Sequence, residues 1–340
     1  MSYPLFSICT PVYNCAEYLP ALFDSLKSQY FSSWELILVD DASTDDFSEF
    51  IQKQKIIPND CYSIITNGVN LGPYESRKKA IELAKGDYIL CIDADDAFAS
   101  FEVLSALAEV VLSSRPDVIL FNMTRDLDTK ESCIDYSNLL EYESGYVSSK
   151  DIESLFINSY SLNNLATKAI KRGLFRHSNS IKLLINEDRY EFLSIMQEAS
   201  SFYLINRPFY YYRLNPDSTT EKSLSMELFH QIEHVEEAVN AFAIRSGMAI
   251  SGEALEFLKS TDCVLRSIAG SSSGFLKTKM ACKEVYDSNF FHRMIDDGAC
   301  KALPLTARLP LWLIAGNHHL LATWVYKCRK LICDIAGRVL

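Results

Sequence analysis

The sequence predicts an α/β fold, a mainly parallel sheet flanked by helices and followed by a helical extension. Three observations predict it. Short apolar, strand-like runs alternate with helix-period segments over the first 125 residues, and acidic turns close two of those runs. Beyond residue 226 the strand signal gives way to helical periodicity alone. With 340 residues, 48% of them hydrophobic and 23% charged, the chain is long and apolar enough to bury a sizeable core.

Taken in order, 5–10 (LFSICT), 34–40 (WELILVD), 62–66, 88–92 and 118–122 read as short strands. Leu19, Leu22, Phe23 and Leu26 recur at i, i+3, i+4 and i+7, one face of a helix in which Pro20 is tolerated because it falls in the first turn. Residues 74–85 form a second helix stopped by Gly86, and 101–114 a third that ends before Pro116. Residues 126–150 are polar and aperiodic, an excursion from the sheet. Helical periodicity returns at 150–157 and 188–198, followed by a strand pair at 202–205 and 209–213. The segments 226–246, 253–268 and 275–294 read as helices, which divides the chain into a unit of 1–222 and a helical region of 223–340. Ligands of such a sheet are expected outside the carboxyl ends of its strands.

The net charge of −11 argues against nucleic acid as a partner, since neutralising phosphates takes an excess of Lys and Arg. Ten cysteines show neither CxxC pairs nor a nearby His that would complete a zinc site, and most lie in apolar strings. They read as buried thiols of a reducing compartment. Met1 leads at once into a strand-like run without a signal-peptide pattern, so a cytoplasmic location is expected. Residues 301–340 carry six basic residues against one acid, so the preceding 300 residues hold a net −16. The apolar runs 309–316 and 320–326 contain Trp312 and Trp324, and each falls short of the ~20 residues needed to span a bilayer. Two readings stay open: a peripheral helix on the inner face of the cytoplasmic membrane, or a helix packed on the rest of the chain.

Three carboxylate groups carry the chemistry. The second strand runs into Asp40-Asp41, and the fourth into Asp93-Ala-Asp95-Asp96, so both fall on the ligand-binding edge of the sheet. Carboxylates so close repel one another unless a cation joins them, and hard oxygen donors suit Mg²⁺ or Mn²⁺. A solvated acidic turn that caps the next helix is the alternative. Asn186-Glu187-Asp188 opens a helical segment, where the helix dipole alone accounts for the acids, or one of them is a general base.

Together these strings resemble the family 2 glycosyltransferases, which share the nucleotide-sugar-binding GT-A fold. The resemblance runs through SICTPVYNCAEYLPALFDSLKSQYFSSWELILVDDASTDD, NLGPYESRKKAIELAKGDYILCIDADD, NLATKAIKRGLF, NEDRYEF and PFYYYRLNPDSTT, over about residues 4–220. It implies that Thr10, Pro11 and Tyr13 line the nucleotide pocket, that Asp41 hydrogen-bonds the base, typically uracil, and that Asn70, Gly72 and Arg77 serve the donor. It makes Asp95 a ligand of Mn²⁺ or Mg²⁺ with Asp93 assisting, Asp188 the base, Glu187 an acceptor-side or supporting contact, and Arg213 and Ser218 closures over the diphosphate.

The resemblance further implies an inverting, metal-dependent hexosyltransferase that moves sugar from a nucleotide sugar, typically a UDP-sugar, to a glycan or lipid-linked glycan. The implied setting is bacterial lipopolysaccharide, capsule or a related surface polysaccharide. Ala42 replaces the family's usual Gly, and the basic residue of the Asn-Lys-Leu-Phe landmark is displaced to Lys168. An inactive nucleotide-sugar-binding or scaffold protein and a Mg²⁺-binding receiver domain are the alternatives. A receiver domain needs an Asp pair after the first strand, where this chain has Thr10-Pro11.

Overall fold

The computed structural model describes residues 4–54, 58, 61–129, 139, 141–159, 161–175, 183–214, 225–248, 252–270, 274–296 and 299–336. It divides into two compact units, one of Met1–Leu155 with Ser161–Asn215 and one of Phe156–Tyr160 with Pro216–Leu340.

The first unit is built on one sheet. Its strands are β1 (Phe6–Val12), β2 (Trp34–Asp40), β3 (Tyr62–Thr66), β4 (Tyr88–Cys91), β5 (Ala97–Phe98), β6 (Val118–Thr124), β7 (Gly145–Val147), β8 (Lys168–Lys171) and β9 (Phe202–Tyr211). Their order is β3-β2-β1-β4-β8-β6-β9-β5, with β7 pairing on β9. The run β3-β2-β1-β4 is parallel, β8 lies antiparallel between β4 and β6, and β6 and β9 are again parallel. Successive β1 residues from Phe6 to Thr10 are fully buried, as expected of a central parallel strand covered on both faces. The chain steps outward from β1 to β2 to β3 and then returns to the other side of β1 as β4. The loops after β1 and β4 therefore flank a topological switch point, where sheets of this kind bind ligands.

Helices α1 (Leu19–Lys27), α2 (Phe47–Lys53), α3 (Pro73–Leu83) and α4 (Val103–Ser114) follow β1, β2, β3 and β5, and α5 (Ser149–Asn158) and α6 (Glu187–Met196) come later. The α1 stripe is buried as expected, with Pro20 in its first turn. Phe23 packs edge-on against Phe50 and Tyr62 at 5.4 and 6.0 Å, which joins α1 to α2 and β3. Gly86, expected as a helix stop, also permits a close crossing. A Cβ there would lie 2.6 Å from the Ser7 backbone nitrogen, and its own N–H donates to Ser7 Oγ at 2.8 Å.

The expected strand pair at 202–213 is instead one strand. β9 stays continuous along β6, and two register shifts opposite Phe121–Met123 absorb the extra residues around Pro208. Proline has no N–H for a ladder, so it sits where the ladder is interrupted.

In the second unit, α7 (Met226–Arg245), α8 (Gly252–Gly270), α9 (Phe275–Tyr286), α10 (Asn289–Asp296), α11 (Leu305–Ala315) and α12 (His319–Ala336) are the main elements among the described residues. Phe257 lies 4.8 Å from Phe290 and 6.1 Å from Phe229 in its core. Buried Asp262 accepts hydrogen bonds from Tyr326, Arg266 and Arg329 at 3.1, 2.9 and 3.2 Å, so its charge is matched. The expected helix 275–294 breaks at Ser288, whose Oγ accepts the Phe291 N–H at 2.9 Å and starts a new helix. None of the helices among the described residues is long and apolar enough to cross a membrane.

Candidate active site

The carboxyl ends of β1, β2 and β4 lie side by side because those strands pair in register. The loops after β1 and β2 are knitted together. Asn14 N–H donates to Ser43 Oγ (3.1 Å), Ala16 N–H to Asp45 Oδ2 (2.8 Å), and Thr44 N–H to Asn14 Oδ1 (2.8 Å). A groove of about 610 Å³ opens beside them, lined by Asn14, Glu17, Asp45 and Phe50 among others. Asn14 and Ala42 both turn with positive φ, 51° and 62°. Asn tolerates that region; Ala does so at about 1–2 kcal/mol, which gives the Gly-to-Ala departure at 42 a physical meaning.

Asp41 is buried, and its carboxylate accepts three hydrogen bonds: from Asn67 Nδ2 (2.7 Å), Leu71 N–H (2.9 Å) and Gly72 N–H (2.7 Å). It fixes the 67–72 loop, in which Gly72 takes φ 91° to open α3 and Asn70 is exposed. At the end of β1, Pro11 is partly buried and Tyr13 is exposed, but Thr10 is fully buried with Oγ1 lacking a hydrogen-bond partner. Pro11 and Tyr13 can line a pocket directly. Thr10 meets one only through its backbone, because β1 is covered on both faces.

Arg77, on α3 and 6% exposed, is the hub. Its guanidinium donates to Asp188 Oδ1 and, at 3.3 Å, to Asp93 Oδ1, and lies 3.8 Å from Glu187. Burial alone would lower its pKa, but Asp188 and Asp93 outweigh that and hold it charged. One buried cation thus gathers acids from the β4 loop and the start of α6. Asp188 Oδ2 accepts the Leu165 N–H at 3.1 Å, so its carboxylate is held from two sides. Burial, then the charge of Asp188, pushes the Glu187 and Glu191 carboxyls up to about 7.

The three acids after β4 separate in role. Asp93 and Asp95 stay partly exposed, while Asp96 is buried. Asp96 accepts hydrogen bonds from the Tyr210 hydroxyl and the Arg213 N–H, the latter at 2.8 Å. Burial and neighbouring Asp93 push its carboxyl up to about 8. Arg213 donates through Nε to the Asp95 carbonyl (2.8 Å) and lies 5.5 Å from the Tyr18 and Tyr211 rings. β9 therefore clasps the acidic loop. Ser218 lies outside the described residues.

Two participants escape a sequence reading. Asp96 looks like a third exposed acid, and its partner Tyr210 lies 114 residues away. Lys168 is fully buried on β8, with its ammonium 4.6 Å from the Phe192 ring and bonded to the Asn164 carbonyl. Burial pushes that ammonium down to about 7, partly opposed by Asp188. The available signal was a lysine inside a short apolar strand, KAIK.

Acids at the ends of the two parallel strands that flank β1, an arginine on α3 and an acid pair opening a helix fit a GT-A-type α/β fold. The family model described as Glycosyl transferase family 2 matches residues 7–165. An uncharacterized glycosyltransferase of Haemophilus influenzae is 27% identical over 252 residues, 69% of this chain and 80% of that protein. Abequosyltransferase RfbV of Salmonella typhimurium is 28% identical over 190 residues, 55% of this chain and 54% of that protein.

Among solved structures, S. aureus TarS 1–349 in complex with UDP-GlcNAc superposes with a TM-score of 0.66 at 16% identity, covering 96% of this chain and 91% of TarS 1–349. The mannosyltransferase PcManGT of Pyrobaculum calidifontis, with GDP-Man and Mn²⁺, gives 0.51 at 16% identity, over 96% and 88%. At such identities these two establish the fold. Residues 7–165 are a glycosyltransferase family 2 segment. Its activity at the coarsest level is nucleotide-sugar-dependent glycosyl transfer.

Proposed function

We propose that this chain is an inverting hexosyltransferase that moves a sugar from a UDP-sugar to a hydroxyl of a glycan or lipid-linked glycan, on the cytoplasmic side of bacterial surface-polysaccharide synthesis. The observation that carries the reading is the Arg77 hub, which joins acids of the donor loop to the acids of α6. We assign catalysis to residues 1–222 and leave 223–340 outside the chemistry. No disulfide links the described cysteines.

In this reading Pro11, Tyr13 and the 67–72 loop receive the nucleotide. Asp41 keeps about one of a carboxylate's four lone-pair positions for a base N–H, since its own chain takes three. Asp93 and Asp95 are two partly exposed oxygen donors beside each other. That suits a divalent ion which keeps diphosphate oxygens and water in its shell, and no group of three or more ligands gathers among the described residues. Mn²⁺ or Mg²⁺ bound there would offset the charge growing on the departing diphosphate. Arg77 and Arg213 add fixed positive charge at the same edge.

Asp188 takes the proton from the acceptor hydroxyl as that oxygen attacks the anomeric carbon from the face opposite the leaving group. The bond to the diphosphate breaks, and the centre inverts in one displacement. The contacts to Arg77 and to the Leu165 N–H keep Asp188 aimed. Glu187 is a second candidate base, because a carboxyl near 7 is matched to neutral pH.

Steady-state kinetics decides. Asp188→Asn should lower transfer by about 10²–10⁴-fold with UDP-sugar affinity little changed, and Glu187→Gln should be milder. Full activity in Asp188→Asn, or the larger loss in Glu187→Gln, overturns the assignment.

A further inference from the structure

We infer that the second unit carries a docking face for an anionic lipid surface, independent of the chemistry assigned to the first. On α11, Leu305, Leu309 and Trp312 follow i, i+4, i+7 spacing and share one face, from 41% exposed at Leu309 to 70% at Trp312. On α12, Leu320, Leu321 and Trp324, at i, i+1 and i+4, also share one side and are 54–62% exposed. The other sides of the same helices are buried through Leu311 and Ile314 and through Ala322 and Tyr326. Each helix is therefore apolar on two sides. A packed tail accounts for the inner side alone.

The two stripes lie on helices consecutive in the chain. A tight turn folds α12 back on α11, with Gly316 N–H donating to the Trp312 carbonyl and His318 N–H to the Leu313 carbonyl, at 3.0 and 2.7 Å. Phe275, at the start of α9, packs edge-on against Trp324 at 6.0 Å and adds a third helix to the patch. Exposed apolar surface on this scale marks an interaction site.

Charge selects the occupant. Lys277 and Lys301 are exposed, and Arg308 reaches back to the Lys301 carbonyl. These basic groups stand out in a chain of net −11. In a symmetric contact between two copies, this basic rim would face its own image, which costs energy. Anionic headgroups attract it instead, and the Trp rings suit the boundary between headgroup and acyl chain. Because neither helix is long and apolar enough to span a bilayer, both would lie in the plane of the surface.

The test uses the full-length protein with vesicles of phosphatidylcholine alone or mixed with phosphatidylglycerol. Co-flotation is expected only with the mixed vesicles and should weaken as salt rises. Two of the three tryptophans lie in the patch, so emission should shift to the blue on binding. The double variant Trp312→Ser/Trp324→Ser should stay in the soluble fraction with an unchanged thermal melt. Lys277→Ala and Lys301→Ala, which leave the apolar stripe intact, should each weaken partition by about fivefold. Failure to float with mixed vesicles, or equal flotation with phosphatidylcholine alone, overturns the inference. A dimer in light scattering that the Trp variant dissolves assigns the face to a second copy and overturns it equally.

Discussion

Replacing Lys168 by Met asks whether the catalytic unit keeps a cation in its core for the sake of the site. Burial moves this ammonium from 10.5 down to about 7. At 1.36 kcal/mol per pH unit, that corresponds to ~5 kcal/mol against carrying the charge below pH 7. Met is of similar length and removes the charge, but it forfeits the charged hydrogen bond to the Asn164 carbonyl at ~1.5–3 kcal/mol and up to ~2 kcal/mol from the Phe192 ring. Net stability at pH 6 should therefore be unchanged or modestly raised.

The pH dependence is the sharper observable. From about pH 7 to pH 10.5 the unfolded chain holds a proton that folded Lys168 has released, so the parent gains stability as pH rises through that window. The Met variant has nothing to release. Parent minus variant should rise by ~2 kcal/mol between about pH 7 and pH 8.5, or roughly 4–8 °C in Tm for a unit of ~200 residues. Lys168 also anchors the carbonyl of Asn164, next to the Leu165 N–H that holds Asp188. Transfer should consequently fall by about tenfold, the equivalent of one lost hydrogen bond. Thermal melts across pH beside steady-state kinetics measure both. Parallel pH profiles for parent and variant would refute the depressed lysine, and full activity would refute its link to Asp188.

Asp95→Ala should abolish Mn²⁺-stimulated UDP binding and leave the melt little changed, since the Arg213 bond to the residue 95 carbonyl survives the substitution; calorimetry with and without metal checks it. Asp41→Ala strips the acceptor from three donors at ~1–3 kcal/mol each, so a large drop in Tm should accompany any loss of UDP affinity. A parental melt would remove its anchoring role. Ala42→Gly should stabilise by about 1 kcal/mol, because glycine adopts φ 62° without strain, and denaturant titration will read the gain.

What was legible in the sequence was local. The apolar runs that became β2 and β4 end where the acids begin, so Asp40–Asp41 and Asp93–Asp96 could be put at strand ends from pattern alone. The Leu19–Leu26 stripe likewise fixed a buried helix face. Features set by distant partners were not legible. Asp93, Asp95 and Asp96 are chemically alike in the sequence, and only the arrival of Tyr210 turns Asp96 inward. Arg77 was expected to face the donor, but its place among Glu187 and Asp188 depends on contacts across 111 residues. The short strand β8 was missed because four residues carry no usable periodicity. Thr10 was assigned to a pocket from its place after a strand, which says nothing of the sheet face that covers it.

The clasp of β9 on the acidic loop has a consequence for the order in which the protein comes into being. Asp96 and Arg213 are 117 residues apart, which at ribosomal rates of about 5–20 residues per second is roughly 6–24 s of synthesis. During that interval β1 to β4 can already pair, since their contacts are comparatively short-range. The acids after β4, however, have neither Tyr210 nor the 210–213 backbone to hold them. Closing so long a loop is an entropic step that only the finished sheet rewards. Competence for sugar transfer is therefore among the last properties the nascent chain acquires, and a chain released before residue 210 is a sheet without an enzyme.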